Sequence, residues 1–290
     1  MKKVWIGIII LIICSFVPVY VLRRYSVVKQ QPPSIPHLPQ RIVSLSLVAT
    51  EILFDLEAGD RIVGVIESPN NPPQAKEKVQ MGKTFGHLNI EMVVGLEPDL
   101  VFSCHEIDAN KTIEKRGIPV FIVDTCNSLD RVIVLVRNIG KIVGKESEAE
   151  VIALRMQERI DNIVTRVRDV ANQPLVYFAG LNGTTRGPGS LTHNLITLAG
   201  GINLAKDEPV PFPLLSTEYI IEKNPDIIIV DERGGPSIEE IKRRDGWQNI
   251  KAVKNNRIYK SPKYFTNYTP RCIEGLEQFA RWFHPQIFKE

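Results

Sequence analysis

The sequence predicts an α/β protein: two mainly parallel α/β lobes joined by one long rigid helix, with a ligand cleft between the lobes. Three observations predict it. Short β-branched runs alternate with helical stretches in both halves of the chain. One long stretch without glycine or proline separates the halves. A helix, a Pro-Asp stop and a buried strand follow one another once in each half. Alternation of this kind is the signature of parallel sheets covered by crossover helices.

In the first half, Arg41-Ile42-Val43-Ser44-Leu45 is short and β-branched after a proline-rich segment, and reads as a strand. Helical spacing follows over residues 48–56, with Ile52, Leu53 and Leu56 on one face and Gly59 as the stop. Ile62-Val63-Gly64-Val65 is a second strand, and Asn70-Asn71-Pro72-Pro73 a turn. Residues 90–96 form a short helix cut off by Pro98, and Asp99-Leu100-Val101-Phe102 is a buried strand. Residues 113–117 end another helix, and Val120-Phe121-Ile122-Val123 is the next strand.

Residues 147–170 hold no Gly or Pro. Val151, Ile152, Leu154, Ile160, Ile163, Val164 and Val167 supply an apolar stripe, and Arg155, Glu158, Arg159, Arg166 and Arg168 a wet face. The alternation then resumes with Leu175-Val176-Tyr177-Phe178. Residues 91–102 can be laid on residues 218–229 so that Glu91, Pro98 and Asp99 coincide with Glu218, Pro225 and Asp226. Two similar lobes on one helix leave a cleft, which is where ligands are bound.

Before residue 41 the chain is of another kind. Residues 4–22 carry no charge and are flanked by Lys2, Lys3, Arg23 and Arg24. As a helix they reach about 28 Å, close to the ~30 Å hydrocarbon core of a bilayer. The stretch is long for a signal peptide, and no alanine precedes Ala49 to offer an A-x-A cleavage site. Residues 1–24 are therefore expected to be an N-terminal membrane anchor, and lipidation at Cys14, which follows Ile13, is the competing reading. The proline-rich residues 25–40 form a semi-stiff linker. The remaining divisions are residues 41–146 for the N-terminal lobe, 147–172 for the backbone helix and 173–290 for the C-terminal lobe.

Charge and motif content exclude several functions. The net charge of +3 comes from interspersed acids and bases with no Lys/Arg-rich run, so no nucleic-acid partner is expected. Walker, HExxH, GxSxG and Rossmann glycine motifs are absent, so no catalytic residue is assigned. Of the cysteines, Cys104, Cys126 and Cys272 lie outside the anchor without CxxC spacing. A Cys104–Cys126 disulfide and buried thiols are both open. The dense ligand-type group Cys104-His105-Glu106 lacks a second group at metal spacing, so neither a metal nor a cofactor is expected. Residues 180–190, Gly-rich and containing Arg186, fit an anion site or a plain strand-to-helix loop equally.

Four blocks carry a resemblance. They are Arg41-Ile42-Val43-Ser44-Leu45 through Thr50-Glu51-Ile52-Leu53, Asn89-Ile90-Glu91 through Pro98-Asp99-Leu100-Val101, Leu215-Ser216-Thr217-Glu218 through Asn224-Pro225-Asp226, and Tyr268-Thr269-Pro270-Arg271 through His284-Pro285. In this order around a long central helix they resemble the metal-chelate binding proteins of ABC importers, the receptors for vitamin B12, haem and iron siderophores. The resemblance implies a non-enzymatic, extracytoplasmic binding protein that delivers a chelate to a permease and its ATPase. It implies that Glu51 and Glu218 dock the two lobes on permease arginines. It places Phe85, Phe212, Tyr264, Phe265 and Arg271 at the ligand. Lys263 stands where B12 receptors tend to carry an acid, which leaves haem or an anionic ferric siderophore beside a corrinoid. Two other readings compete: a two-lobed enzyme of glycosyltransferase type, which needs a phosphate loop or an acid–base pair in the cleft, and a membrane-tethered sensor, which has no need of the docking glutamates.

Overall fold

The computed structural model describes residues 37–288 apart from 69–70, 84–87, 105–107 and 124. The expected anchor, residues 1–24, and most of the linker lie outside the described residues, as do Phe85, His105 and Glu106.

The described residues form two sheets, in which each strand pair is parallel. The first contains β1 (Ile42–Ser44), β2 (Ile62–Glu67), β3 (Val79–Lys83), β4 (Leu100–Ser103) and β5 (Val120–Ile122), in the order β3-β2-β1-β4-β5. The second contains β6 (Leu175–Ala179), β7 (Ile202–Asn203), β8 (Ile227–Asp231) and β9 (Ile258–Ser261), in the order β7-β6-β8-β9. Their strands read as apolar runs because both faces are covered. On β6, Val176 and Phe178 join one core layer, and Tyr177 and Ala179 the other.

The helices in chain order are α1 (Leu47–Asp55), α2 (Ile90–Gly95), α3 (Asp108–Glu114), α4 (Leu129–Ile142), α5 (Glu146–Val167), α6 (Leu191–Leu198), α7 (Thr217–Lys223), α8 (Ile238–Arg243), α9 (Lys251–Lys254) and α10 (Cys272–Phe283). Their starts are written in the sequence. Ser46, Asn89, Ser128, Ser190, Ser216 and Ser237 each cap a helix by accepting from a backbone N–H one turn on.

The long helix α5 lies where the glycine-free stretch predicts it. Ala149, Ala153, Met156, Ile160, Ile163 and Val167 are buried at alternating spacings of four and three. At 22 residues it is about 33 Å long. Its N-terminal half packs on α4, a helix outside the expected elements. The approach is close because Gly140 faces Ala149, whose Cβ would stand 2.3 Å from any Cβ added there. Larger residues at either place would part the two helices. Its C-terminal half packs on α10. One core therefore runs from Ile42 and Phe102 of the first sheet, through α5, to Phe178 and Ile229 of the second.

The internal echo is physical. Glu97 and Asn224, at corresponding places, both adopt left-handed backbone (φ 48° and 50°) and turn the chain into Pro-Asp. Asp99 then accepts from the backbone N–H groups of Gln40 and Arg41 at 2.7 and 3.0 Å, holding the start of β1. Asp226 accepts from the N–H of Leu175 at 2.9 Å, holding the start of β6. Each aspartate thereby sets its strand, β4 or β8, beside the first strand of its own lobe.

Candidate functional site

In each sheet the strand order reverses at one point, between β1 and β4 and between β6 and β8. Ligands of open α/β sheets bind outside the carboxyl ends of the strands at such points. The two lobes touch on this side: Asn194, on α6, accepts from the backbone N–H of Leu129 at 3.0 Å.

The C-terminal lobe presents charge there. β8 ends in Asp231, only 1% exposed. Arg186, from the Gly-rich loop after β6, donates to its Oδ2 at 2.9 Å. Arg233 donates to the same carboxylate through Nε at 3.1 Å and Nη2 at 3.1 Å, and also to the Thr266 hydroxyl. Two guanidinium groups thus share one carboxylate, leaving a formal excess of one positive charge. Arg186 lies between aromatic faces, 5.5 Å from the Phe178 centroid and 5.2 Å from that of Phe212. Burial lowers its pKa, opposed by Asp231 and reinforced by Arg233. The Tyr268 phenol is pushed up by burial and by Cys126, while Arg233 and Arg186 pull it down.

The N-terminal lobe presents neutral groups at the equivalent edge. The Thr50 hydroxyl lies 2.9 Å from both Ser44 Oγ and the Ser46 carbonyl, and Ser44 donates to that carbonyl at 3.0 Å. Cys104 follows β4, half-buried, its thiol pKa raised by burial. Cys104, Cys126 and Cys272 form no disulfide with one another. Among the described residues no three His, Cys, Asp or Glu side chains gather as a metal-binding group.

The expected ligand residues fall into two groups. Phe212 is exposed and stacked on Arg186, and so joins the charged centre. Tyr264 lies beneath the Arg271 guanidinium, 4.1 Å from its centroid, and meets Phe265 edge-on at 4.9 Å. Phe265 itself is buried against Phe279 and Trp282, and the structure gives it a packing role. Asp231, Arg233, Thr266 and Tyr268 are site residues that the sequence reading left without a role. The signal for the first two is the abrupt Asp231-Glu232-Arg233 after four apolar strand residues.

The two expected docking glutamates differ. Glu218 is exposed in the first turn of α7, as the solvated reading of that position also has it. Glu51 is not solvated. It is 7% exposed in the middle of α1, and neither its Oε1 nor the Oγ1 of Thr269 attains a hydrogen bond. Burial pushes its carboxyl above the ordinary value, reinforced by Asp55 and Glu274 and opposed by the positive charge of Arg271.

Comparison with known proteins agrees with this architecture. The family model described as "Periplasmic binding protein" matches residues 42–265. An uncharacterized ABC transporter substrate-binding lipoprotein, YvrC of Bacillus subtilis, is 30% identical over 279 residues, covering 90% of this chain and 85% of the relative. The vitamin B12-binding protein of Vibrio cholerae is 27% identical over 256 residues, covering 85% of this chain and 90% of the relative. The apo structure of the periplasmic haem-binding protein RhuT of Roseiflexus is similar at a TM-score of 0.73 and 28% identity, covering 86% of this chain and 99% of that one. A two-lobed parallel fold and a match over most of the folded chain lead to one conclusion: this protein belongs to the periplasmic binding protein family, the non-enzymatic substrate-binding proteins of ABC transporters, in the class that serves B12, haem and iron chelates.

Proposed function

We propose that the protein is the extracytoplasmic receptor for a metal chelate carrying anionic groups, which it delivers to an ABC permease and its ATPase. One observation carries the choice of chelate: Arg186 and Arg233 share a single buried aspartate at the carboxyl edge of the C-terminal lobe, next to the exposed ring of Phe212. Guanidinium groups held in this way meet carboxylate or phosphate in fixed geometry, and an aromatic face suits a flat, apolar ligand body. Tyr264, Arg271 and Phe85 complete the ligand set in this reading. An anionic haem or ferric siderophore satisfies the excess charge better than a corrinoid does.

Glu218 and Glu51 dock the lobes on permease arginines. Residues 4–22 tether the protein to the membrane. A lipoprotein among the relatives supports a tether, and mass spectrometry of the mature N-terminus separates a retained anchor from a lipid on Cys14.

The test of the ligand is direct titration with haemin, a ferric catecholate and cyanocobalamin. The anionic chelates are expected to bind more tightly, with Arg233→Gln weakening them about 10- to 100-fold. Tighter binding of cyanocobalamin, unchanged in Arg233→Gln, would overturn the proposal.

A further inference from the structure

The C-terminal lobe carries an exposed apolar strip of which only Phe212 meets the charged centre. Residues 209–215 read Pro-Val-Pro-Phe-Pro-Leu-Leu. This segment runs antiparallel to the Gly-rich loop, with Thr184 opposite Leu214. Thr185 and Gly187 donate their N–H groups to the carbonyls of Pro213 and Pro211 at 2.8 and 3.0 Å. Gly187 permits the approach, since a Cβ there would lie 2.5 Å from the Val210 carbonyl oxygen. Pro213 is buried and Pro211 half-buried, and a proline cannot donate in return, so the ladder is one-sided and stiff. The alternate residues turn outward: Val210 is 48% exposed, Phe212 55% and Leu214 71%. Among the described residues these are three of the nine large apolar side chains left exposed. Scattered apolar residues are ordinary, whereas a contiguous set on rigid backbone marks an interaction surface.

The charges around the strip identify the occupant. Half-buried Glu208 precedes it, and Ser216 and the exposed Glu218 of α7 follow it. We infer that Val210 and Leu214, which precede Glu218 by eight and four residues, form the apolar part of the surface that docks on the permease, against an extracytoplasmic ridge of apolar side chains flanked by basic ones. The inference rests on the docking role of Glu218 proposed above. The proline-locked backbone needs no ordering on contact, so little conformational entropy opposes association. The strip supplies salt-insensitive adhesion, and Glu218 supplies steering and register.

The experiment uses the full chain and its permease–ATPase complex in nanodiscs. Leu214→Ser and Val210→Ser replace exposed side chains, and unchanged thermal midpoints confirm folding. Phe212 is left intact because it stacks on Arg186. Transporter affinity is expected to fall about ten-fold in the double variant at low and high salt, with haemin and cyanocobalamin affinities unchanged. Transporter affinity within two-fold of the parent overturns the inference, and so does a loss of chelate affinity, which would make the strip a ligand wall. Glu218→Lys separates the two readings. If it leaves transporter affinity intact while Leu214→Ser lowers it, the strip stands and the glutamate assignment fails. If Glu218→Lys alone lowers it, the strip fails.

Discussion

The carboxyl edges of the two sheets share a topology and differ in chemistry. Around β1 and β4 the edge is a neutral, fully buried network of Ser44, Ser46 and Thr50. Around β6 and β8 it is a buried aspartate between two arginines. The same helix–Pro-Asp–strand unit supports both, so the backbone device places an edge without deciding what the edge carries. In the function proposed above, ligand charge is met by the C-terminal edge, because the buried network of the N-terminal edge offers no charge.

The largest effect that would break this comparison is on folding. Asp231→Asn leaves two arginines without their shared carboxylate, and is expected to cost about 3–5 kcal/mol in denaturant unfolding. Ser44→Ala at the opposite edge is expected to cost about 1 kcal/mol, the usual net worth of a hydrogen bond. Equal costs would show that the charged edge is no more strained than the neutral one.

Binding sharpens it. Arg186→Gln keeps the Arg233–Asp231 pair but removes the excess charge. It is expected to weaken an anionic chelate by about 1.5–3 kcal/mol in isothermal titration, with Ser44→Ala nearly silent. A larger loss from Ser44→Ala would move the recognition of charge to the other lobe.

The two glutamates offer a third comparison, by pH. The Glu51 carboxyl is raised in the folded protein, chiefly by burial. The folded state therefore holds its proton more tightly than the unfolded chain does. That contribution to stability is complete below the unfolded value of about 4.3, and is lost as pH rises through the raised folded value. Glu51→Gln should thus gain over the parent as pH rises from 4 to 7, reaching a gain of about 1 kcal/mol, or about 2–4 °C in thermal midpoint. Asp55, also raised by burial, keeps some of the same slope in the variant. Glu218→Gln, at an exposed position, should leave the midpoint within about 1 °C of the parent across this range. A Glu51→Gln advantage that shrinks with rising pH would contradict the buried placement.

The smallest effect concerns the duplicated strand ties. Asp99 accepts from two backbone N–H groups and Asp226 from one, with Lys251 beside it at 3.3 Å. Asp99→Ala is expected to cost about 1–2 kcal/mol and Asp226→Ala about half as much, by chemical denaturation. The reverse order would mean that the ties are not equivalent devices.

Much of the frame was legible without coordinates. The glycine-free stretch became α5, because helical spacing is a local property of the chain. The Pro-Asp echo survived because its cause, a left-handed residue followed by an extended strand, is also local. The helix α4 escaped the reading. Its stripe of Val132, Ile133, Leu135, Val136 and Ile139 merges with neighbouring apolar runs, and only its packing on α5 through Gly140 picks it out.

The site was legible in kind but not in membership. Two parallel sheets, their crossover helices and the long spine follow from the chain's own pattern, since periodicity, caps and stops act over a few residues. Folding in three dimensions is what brings Arg186 and Arg233, 47 residues apart, together on Asp231, packs Phe265 within the core while Phe212 stands outside it, and buries Glu51 while Glu218 is wet. Burial and charge pairing depend on which segments fold against each other, and no short window of the chain contains both partners.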